Sequence, residues 1–241
     1  MAIENQKTIQ SLPISNSVFW GSESFINTYP IVGYQYTEPD VAFLPLMHRR
    51  RLNFLSKIFF HVVNVCNPTS QDLPIVFGSR FGELPRTMKI LQSLGANEPI
   101  SPTDFSHSVH NTPVALYSIF SKNQQPVTAI AGGEDSFMGT LMEAEAQFKS
   151  TQKDVLFVYA EDKLPDPYTR TNQEDAIHGY GIALRISAEK PKLTLTWQKV
   201  AKSNNKNLQP AAFASGFYQT KTSFALNAFG SEYLFKKEIH A

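Results

Sequence analysis

A chain of 241 residues, 42% hydrophobic and 18% charged, carries enough apolar mass for one large domain or two small ones and excludes broad disorder. Its formal net charge of +1 removes the electrostatic case for nucleic-acid binding. The single cysteine, Cys66, excludes an internal disulfide and any multi-cysteine metal site, and suits a reducing compartment. The N-terminus is polar, without an apolar signal core, and no apolar run approaches transmembrane length. The expectation is a soluble cytoplasmic protein without membrane insertion.

Ile14 to Trp20 reads as a strand, and residues 21–45, rich in Gly, Pro, Tyr and Glu, as an irregular loop. The run His48-Arg49-Arg50-Arg51 reads first as the solvated start of a helix and second as an interaction patch for an acidic partner. From about Met47, the positions Leu52, Leu55, Phe59, Val62 and Cys66 recur at helical spacing, and Asn67-Pro68 ends the run. Leu73 to Gly78 predicts a short buried strand, and Leu84, Met88 and Leu91 a second helix stopping near Gly95. Ile100 to Thr103 is a turn. Ser108 to Phe120 predicts a third helix with Pro113 in its first turn.

Pro126 to Ala131 predicts another strand, followed by a helix carrying Phe137, Leu141, Ala144 and Phe148 on one face and Met138 and Met142 on a second. A helix apolar on more than one side belongs in a core or between layers. Val155 to Ala160 is a continuous apolar strand, residues 161–178 a polar loop, and Gly181–Ile186 and Leu193–Trp197 two adjacent strands. Residues 201–210 read as a linker or surface loop, and the aromatic-rich tail 211–241 as one more helix. Alternating strands and helices predict an α/β fold, its mixed sheet parallel at first and antiparallel at its end.

The strand Val127–Ala131 running through Gly132-Gly133 into a helix is the most informative pattern. It predicts a side chain at the mouth of a helix N-terminus, where amide N–H groups favour an anion and would activate a cysteine. The residue there is Ile130, which has neither a proton to give nor a lone pair. No phosphate loop, dinucleotide fingerprint, nucleophile elbow or zinc-protease motif occurs. His107 and His110 stand three apart but lack a third ligand at a convincing spacing, so they read as structural residues beside the Asn111 turn. Asp135 reads as a dipole-stabilising residue of the helix start, and Cys66 as a buried structural thiol. No metal and no cofactor is expected.

Three segments in order resemble the N-terminal half of the β-ketoacyl synthases, which have the thiolase fold. They are Val76-Phe77-Gly78-Ser79-Arg80-Phe81-Gly82-Glu83, then Ser101 to Asn111, then Thr128-Ala129-Ile130-Ala131-Gly132-Gly133. The last reads Thr-Ala-Cys-Ala-Ser-Gly in ketosynthases, where the Cys takes the acyl chain, and the register places Ile130 on it without a gap. The run Ala131-Gly132-Gly133-Glu134-Asp135 is similar to the chain length factors, in which the Cys is replaced. The chain also resembles the half-length ketosynthase-like proteins of aryl polyene gene clusters.

The resemblance implies a thiolase-like N-terminal-half domain over residues 1–241, with 201–241 as an extension. It implies a non-catalytic subunit that forms a heterodimer with a catalytic ketosynthase, acts on acyl carrier protein through that complex, and shapes the acyl-chain tunnel. No catalytic residue is expected here. Some chain length factors carry Gln at the Cys position, with a proposed decarboxylating role, but Ile130 cannot form that hydrogen bond. The catalytic His pair and Lys of ketosynthases come from a second half that the chain is expected to lack. The strand Val127–Ala131 is expected near the dimer interface, and Phe81, Leu84, Asp104, Phe105, His107, Thr128 and Ile130 are its tunnel or interface candidates. With one sheet, the Phe137/Met138/Leu141/Met142 helix must be covered either by the tail 211–241 or by a partner. The alternatives are a thioesterase or decarboxylase using His107, His110 or Asp135, and a scaffold on which Arg49, Arg50 and Arg51 dock a carrier protein.

Overall fold

The computed structural model describes residues 9–166, 168–170, 178–219 and 222–240. In chain order the elements are β1 (Gln10–Gly21), α1 (Glu23–Thr28), α2 (Leu46–Arg49), α3 (Phe54–Cys66), β2 (Ile75–Gly78), α4 (Leu84–Gly95), α5 (Pro102–Ser106), α6 (Thr112–Ser121) and β3 (Val127–Ile130). They continue through α7 (Ser136–Thr151), β4 (Val155–Glu161), β5 (Tyr180–Ile186), β6 (Leu193–Lys202), α8 (Gln209–Tyr218), β7 (Ser223–Ala228) and β8 (Ser231–Ile239). Single 3₁₀ turns cover Gly133–Asp135 and Tyr168–Arg170.

The eight strands form one mixed sheet in the order β3-β2-β4-β5-β1-β6-β8-β7. β3, β2 and β4 run parallel, and every other pairing is antiparallel. The predicted α/β fold with a parallel-then-antiparallel sheet is the one observed. β4 is buried along its whole length, as a continuous apolar run requires when both faces are covered. Its alternate residues divide between two cores. Val155, Phe157 and Tyr159 pack with α7 and α8, while Leu156, Val158 and Ala160 pack with α3 and α6.

Local chemistry sets the helix ends. Asn53 Oδ1 accepts from Ser56 N at 2.9 Å and caps α3, whose Leu55, Phe59, Val62 and Cys66 form the buried stripe read from the spacing. The start differs from the expectation. His48-Arg49-Arg50-Arg51 lies in α2 and the turn after it, ahead of the Asn53 cap. Pro113 sits in the first turn of α6, where its missing N–H costs no hydrogen bond. Cys66 is buried, and burial pushes its thiol up to about 12, so it behaves as a small apolar residue.

Three expectations are corrected. The segment 21–45 is not wholly irregular: Ser22 caps a short helix, α1, that buries Phe25. β5 and β6 are not neighbours, because the 12-residue β1 lies between them and pairs with both. The tail is more than one helix, for α8 is followed by the β7–β8 hairpin, and β8 extends the sheet by pairing with β6. Part of the predicted loop 161–178 lies outside the described residues.

The tail also decides what covers α7. Phe213 of α8 meets Phe137 at 5.0 Å between ring centroids, and Gln209 Oε1 accepts from Met138 N at 3.1 Å. Phe137, Met138, Leu141, Ala144 and Phe148 are all buried. Gly78, at the end of β2, allows α7 to approach the sheet. A Cβ at that position would stand 2.0 Å from Thr140 Oγ1. Among the described residues no helix is long and apolar enough to cross a membrane.

Candidate functional site

The sheet ends at β3. Its residues pair with β2 on one side, from Val127 opposite Ile75 to Ile130 opposite Gly78, and among the described residues no strand pairs with its other side. The two faces of β3 differ. Thr128 and Ile130 point toward α7, where Gln147 Nε2 donates to Thr128 Oγ1 at 2.8 Å and Ile130 packs on the core. Val127 and Ala129, on the opposite face, are exposed. An unpaired edge is a template for another chain unless it is protected, and this one has neither a proline nor a charge.

The connection from β2 to β3 is unusually apolar at its surface. Leu91 and Leu94 on α4, Phe105 on α5 (66% exposed), Val109, Ile119 on α6 (73%) and Val127 on β3 all face solvent. Exposed apolar surface of this kind marks an interaction face. Of the two covers expected for α7 the structure has the tail, and exposed apolar side chains lie on this connection.

The turn after β2 is fastened from beneath by Glu161, at the end of β4. Its carboxylate accepts from Ser79 Oγ (2.9 Å), from Tyr159 Oη (3.1 Å), from Phe81 N (3.4 Å) and from Arg80 N. Ser79 Oγ accepts in turn from Gly82 N at 2.8 Å, and Ser79 N donates to Ile130 O at 3.2 Å, tying the turn to β3. Burial pushes the Glu161 carboxyl up to about 7 against these donors, which favour the charged form. Glu83, bonded by Asn53 and Arg86, is likewise pushed up to about 7 by burial, and Asp162 to about 6.

The expected site residues fall into two groups. Phe81 lies in the Glu161-held turn beneath the Arg80 guanidinium, 4.8 Å from its ring centroid, and Leu84 opens α4. Asp104 accepts from Arg86 Nη1 at 2.8 Å and Lys89 Nζ at 2.9 Å, and these bonds hold its carboxyl below the usual range. Phe105 is exposed on α5. His107 caps that helix with its Nδ1 buried and unpartnered, and desolvation pushes its pKa down, with Arg86 and Arg51 adding to the effect. Thr128 and Ile130 form the second group, on the α7 side of β3.

A 3₁₀ turn separates β3 from α7, and the Ile130 side chain lies against the first turn of that helix at Gly139. A Cβ on that glycine would be 3.9 Å from Ile130 Cγ2 and 3.9 Å from Phe229 Cζ. Asp135, read as a dipole-stabilising residue, stands at the N-cap of α7 and also holds the tail: its Oδ1 accepts from Gln209 Nε2 (2.7 Å) and Phe229 N (3.0 Å). His107 and His110 do not share a helical face. His110 bonds Ser79 O through Nε2 at 2.8 Å. No group of three or more His, Cys, Asp or Glu side chains able to hold a metal occurs among the described residues. Beside Phe229 lies a polar cavity of about 310 Å³ lined by Glu134, Lys206 and Asn227 among others.

Glu161, Gln209 and Phe229 were not anticipated. Glu161 had a signal, an acid closing a continuous apolar strand. Gln209 and Phe229 had none, because their roles arise from contacts with Asp135 and Gly139 across at least 70 positions of chain.

The family model for the β-ketoacyl synthase N-terminal domain matches residues 26–232. The fold is similar to a chain of the ketosynthase (ApeO) in complex with its chain length factor (ApeC) from Xenorhabdus doucetiae. The identity there is 25%, the TM-score 0.71, and the match covers 95% of this chain and 97% of that one. The ishigamide ketosynthase/chain length factor matches at 14% identity and TM-score 0.60, over 80% of this chain and 68% of that one. A chain of the AntDE:AntF structure, a type II polyketide acyl-carrier protein in complex with its ketosynthase, matches at 10% and 0.61, over 84% and 72%. These last two likenesses concern the fold alone. No curated protein matches the chain.

Proposed function

The chain belongs to the β-ketoacyl synthase N-terminal-domain family, and from that membership we propose that it is a chain length factor-like subunit, working as the non-catalytic half of a heterodimer with a ketosynthase. The observation that carries this reading is Ile130. On the resemblance it stands where a ketosynthase has its nucleophile, yet it lies on an edge strand, packed on the apolar core beside Gly139 of α7. Carbon facing carbon supplies neither a nucleophile nor a base. The exposed apolar residues between Leu91 and Val127 give the partner a surface, and the unpaired side of β3 gives it backbone hydrogen bonds. In this reading the subunit stabilises the ketosynthase and bounds the tunnel that receives the acyl chain, as in aryl polyene elongation on acyl carrier protein in the cytoplasm. Its whole length acts as one domain.

Co-expression with a full-length ketosynthase encoded beside it tests the proposal. The two chains are expected to co-elute, and omission of this one is expected to make the ketosynthase insoluble or alter its product length. A ketosynthase that is soluble, active and unchanged in product without it overturns the reading.

Arg50 and Arg51 favour one addition. Both are exposed, and neither forms an ion pair among the described residues. They offer an acidic carrier protein a docking point on the same complex. The enzyme alternative has less support, since His110 is bonded to the Ser79 carbonyl and Asp135 to Gln209 and Phe229.

A further inference from the structure

From Leu84 to Asn111 no residue is buried, although α4 and α5 both lie in this stretch. α4 has the apolar spacing of a packed helix in Leu84, Met88 and Leu91, yet Leu91 and Leu94 are 51% and 52% exposed. α7, by contrast, buries Phe137, Met138, Leu141, Ala144 and Phe148. Tertiary packing of an apolar face supplies most of a helix's stability in proteins, and α4 has little of it. The two ends of the stretch meet. A Cβ on Gly82, which has φ +53°, would stand 2.9 Å from His110 Cδ2, and His110 Nε2 bonds Ser79 O at 2.8 Å. A segment closed at its base can lift from the body without pulling on the sheet.

Between those ends, polar contacts place the helices. Arg86 Nε donates to Glu83 Oε2 at 3.3 Å, and Arg86 Nη1 donates to Asp104 Oδ1 at 2.8 Å. Glu83 is buried, and Asn53 Nδ2 donates to the same oxygen while Asn53 Oδ1 caps α3. One guanidinium thus joins α5 to α4 and, through Glu83 and Asn53, to the packed helix α3. The Arg86 side chain is 12% exposed. Lys89, which also bonds Asp104, is 69% exposed, and an ion pair so open to water contributes little.

We propose that residues 84–111 form a unit that opens and closes independently of the rest of the fold, that Arg86 is its latch, and that the ketosynthase binds the closed form. Arg86 is a positioning residue: it acts through Phe105, which α5 holds at the surface. Leu91, Leu94 and Phe105 gain cover only in the complex, so closing and binding favour each other. A ketosynthase that meets a partly open population associates more slowly, in proportion to the closed fraction. The binding step rests on the reading of the chain as a ketosynthase-binding subunit; the opening of the unit does not.

Hydrogen–deuterium exchange read by mass spectrometry, on the free chain and on its complex with a full-length ketosynthase, tests the proposal together with stopped-flow association. In the free chain, α4 amides are expected to exchange at least about tenfold faster than those of α7, and to slow by at least about tenfold in the complex. Arg86→Gln and Asp104→Asn are expected to speed exchange in α4 and leave α7 unchanged, so α7 also reports that the variants fold. Both are expected to lower the association rate at least about threefold. Phe105→Glu is expected to raise the dissociation rate and leave α4 exchange in the free chain as in the wild type. Protection of α4 in the free chain equal to that of α7 overturns the proposal, as does acceleration that spreads to α7. Unchanged exchange in both Arg86→Gln and Asp104→Asn overturns the latch. Failure of the wild-type chain to bind the ketosynthase overturns the subunit reading and the binding step with it, while exchange in the free chain still decides whether the unit opens.

Discussion

Phe213 and Phe137 meet at 5.0 Å between ring centroids, and through that contact the segment from Gln209 onward closes the core over the helix that follows β3. Both rings are fully buried. A helix apolar on more than one face is thereby covered within the chain, while the β2–β3 connection keeps exposed apolar side chains.

Phe213→Ala removes a ring that also meets Phe217, Phe224 and Phe235. Truncation of a buried phenylalanine costs about 3–5 kcal/mol. The expected outcome is a lowered midpoint in urea, with a fluorescent apolar dye binding at the uncovered α7. An unchanged midpoint would show that α8 contributes little to the core.

Phe105→Glu and Ile119→Glu place charges on side chains that are mostly exposed. Neither should alter stability by more than about 0.5 kcal/mol, as is usual for surface substitutions. Each is expected to weaken association with the ketosynthase at least tenfold in analytical ultracentrifugation. Wild-type affinity in both variants would place the interface elsewhere.

Glu161 and Glu83, both pushed up to about 7 by burial, and Asp162, pushed up to about 6, make stability depend on pH. A carboxyl with a raised folded-state pKa binds a proton in the native state over a range where the unfolded chain has released it. Stability therefore falls as pH rises from about 4.5 to about 7, and the loss is complete above that range. The melting temperature is expected to be higher at pH 5 than at pH 8. Glu161→Gln is expected to flatten this dependence. A variant with the wild-type slope would assign the effect to other groups.

Ile130→Cys puts a thiol where the ketosynthase motif has one. Its side chain would lie in the apolar layer beside Gly139, which carries no base, so no acyl-enzyme turnover is expected from the purified chain. Mass spectrometry of the variant after incubation with acyl-carrier protein gives the readout. A covalent acyl adduct that turns over would show a base within reach of position 130.

Local pattern was legible before the fold. The stripe Leu55-Phe59-Val62-Cys66, the uninterrupted run of β4, and the strand and turn around Ile130 all follow from spacing within a few residues, because helix and strand periodicity is a short-range property. The identity of Ile130, and with it the lack of a nucleophile at that position, needs no coordinates at all. Long-range choices could not be read in this way. That β1 separates β5 from β6, that Glu161 holds the turn carrying Phe81, and that Asp135 fastens Phe229 are pairings between residues 80 to 187 positions apart, settled only when all competing partners are present at once. The tail shows why most clearly. Its small and aromatic residues carry no periodic signal, and α8, β7 and β8 are fixed by the surfaces of α7 and β6 that they cover and extend.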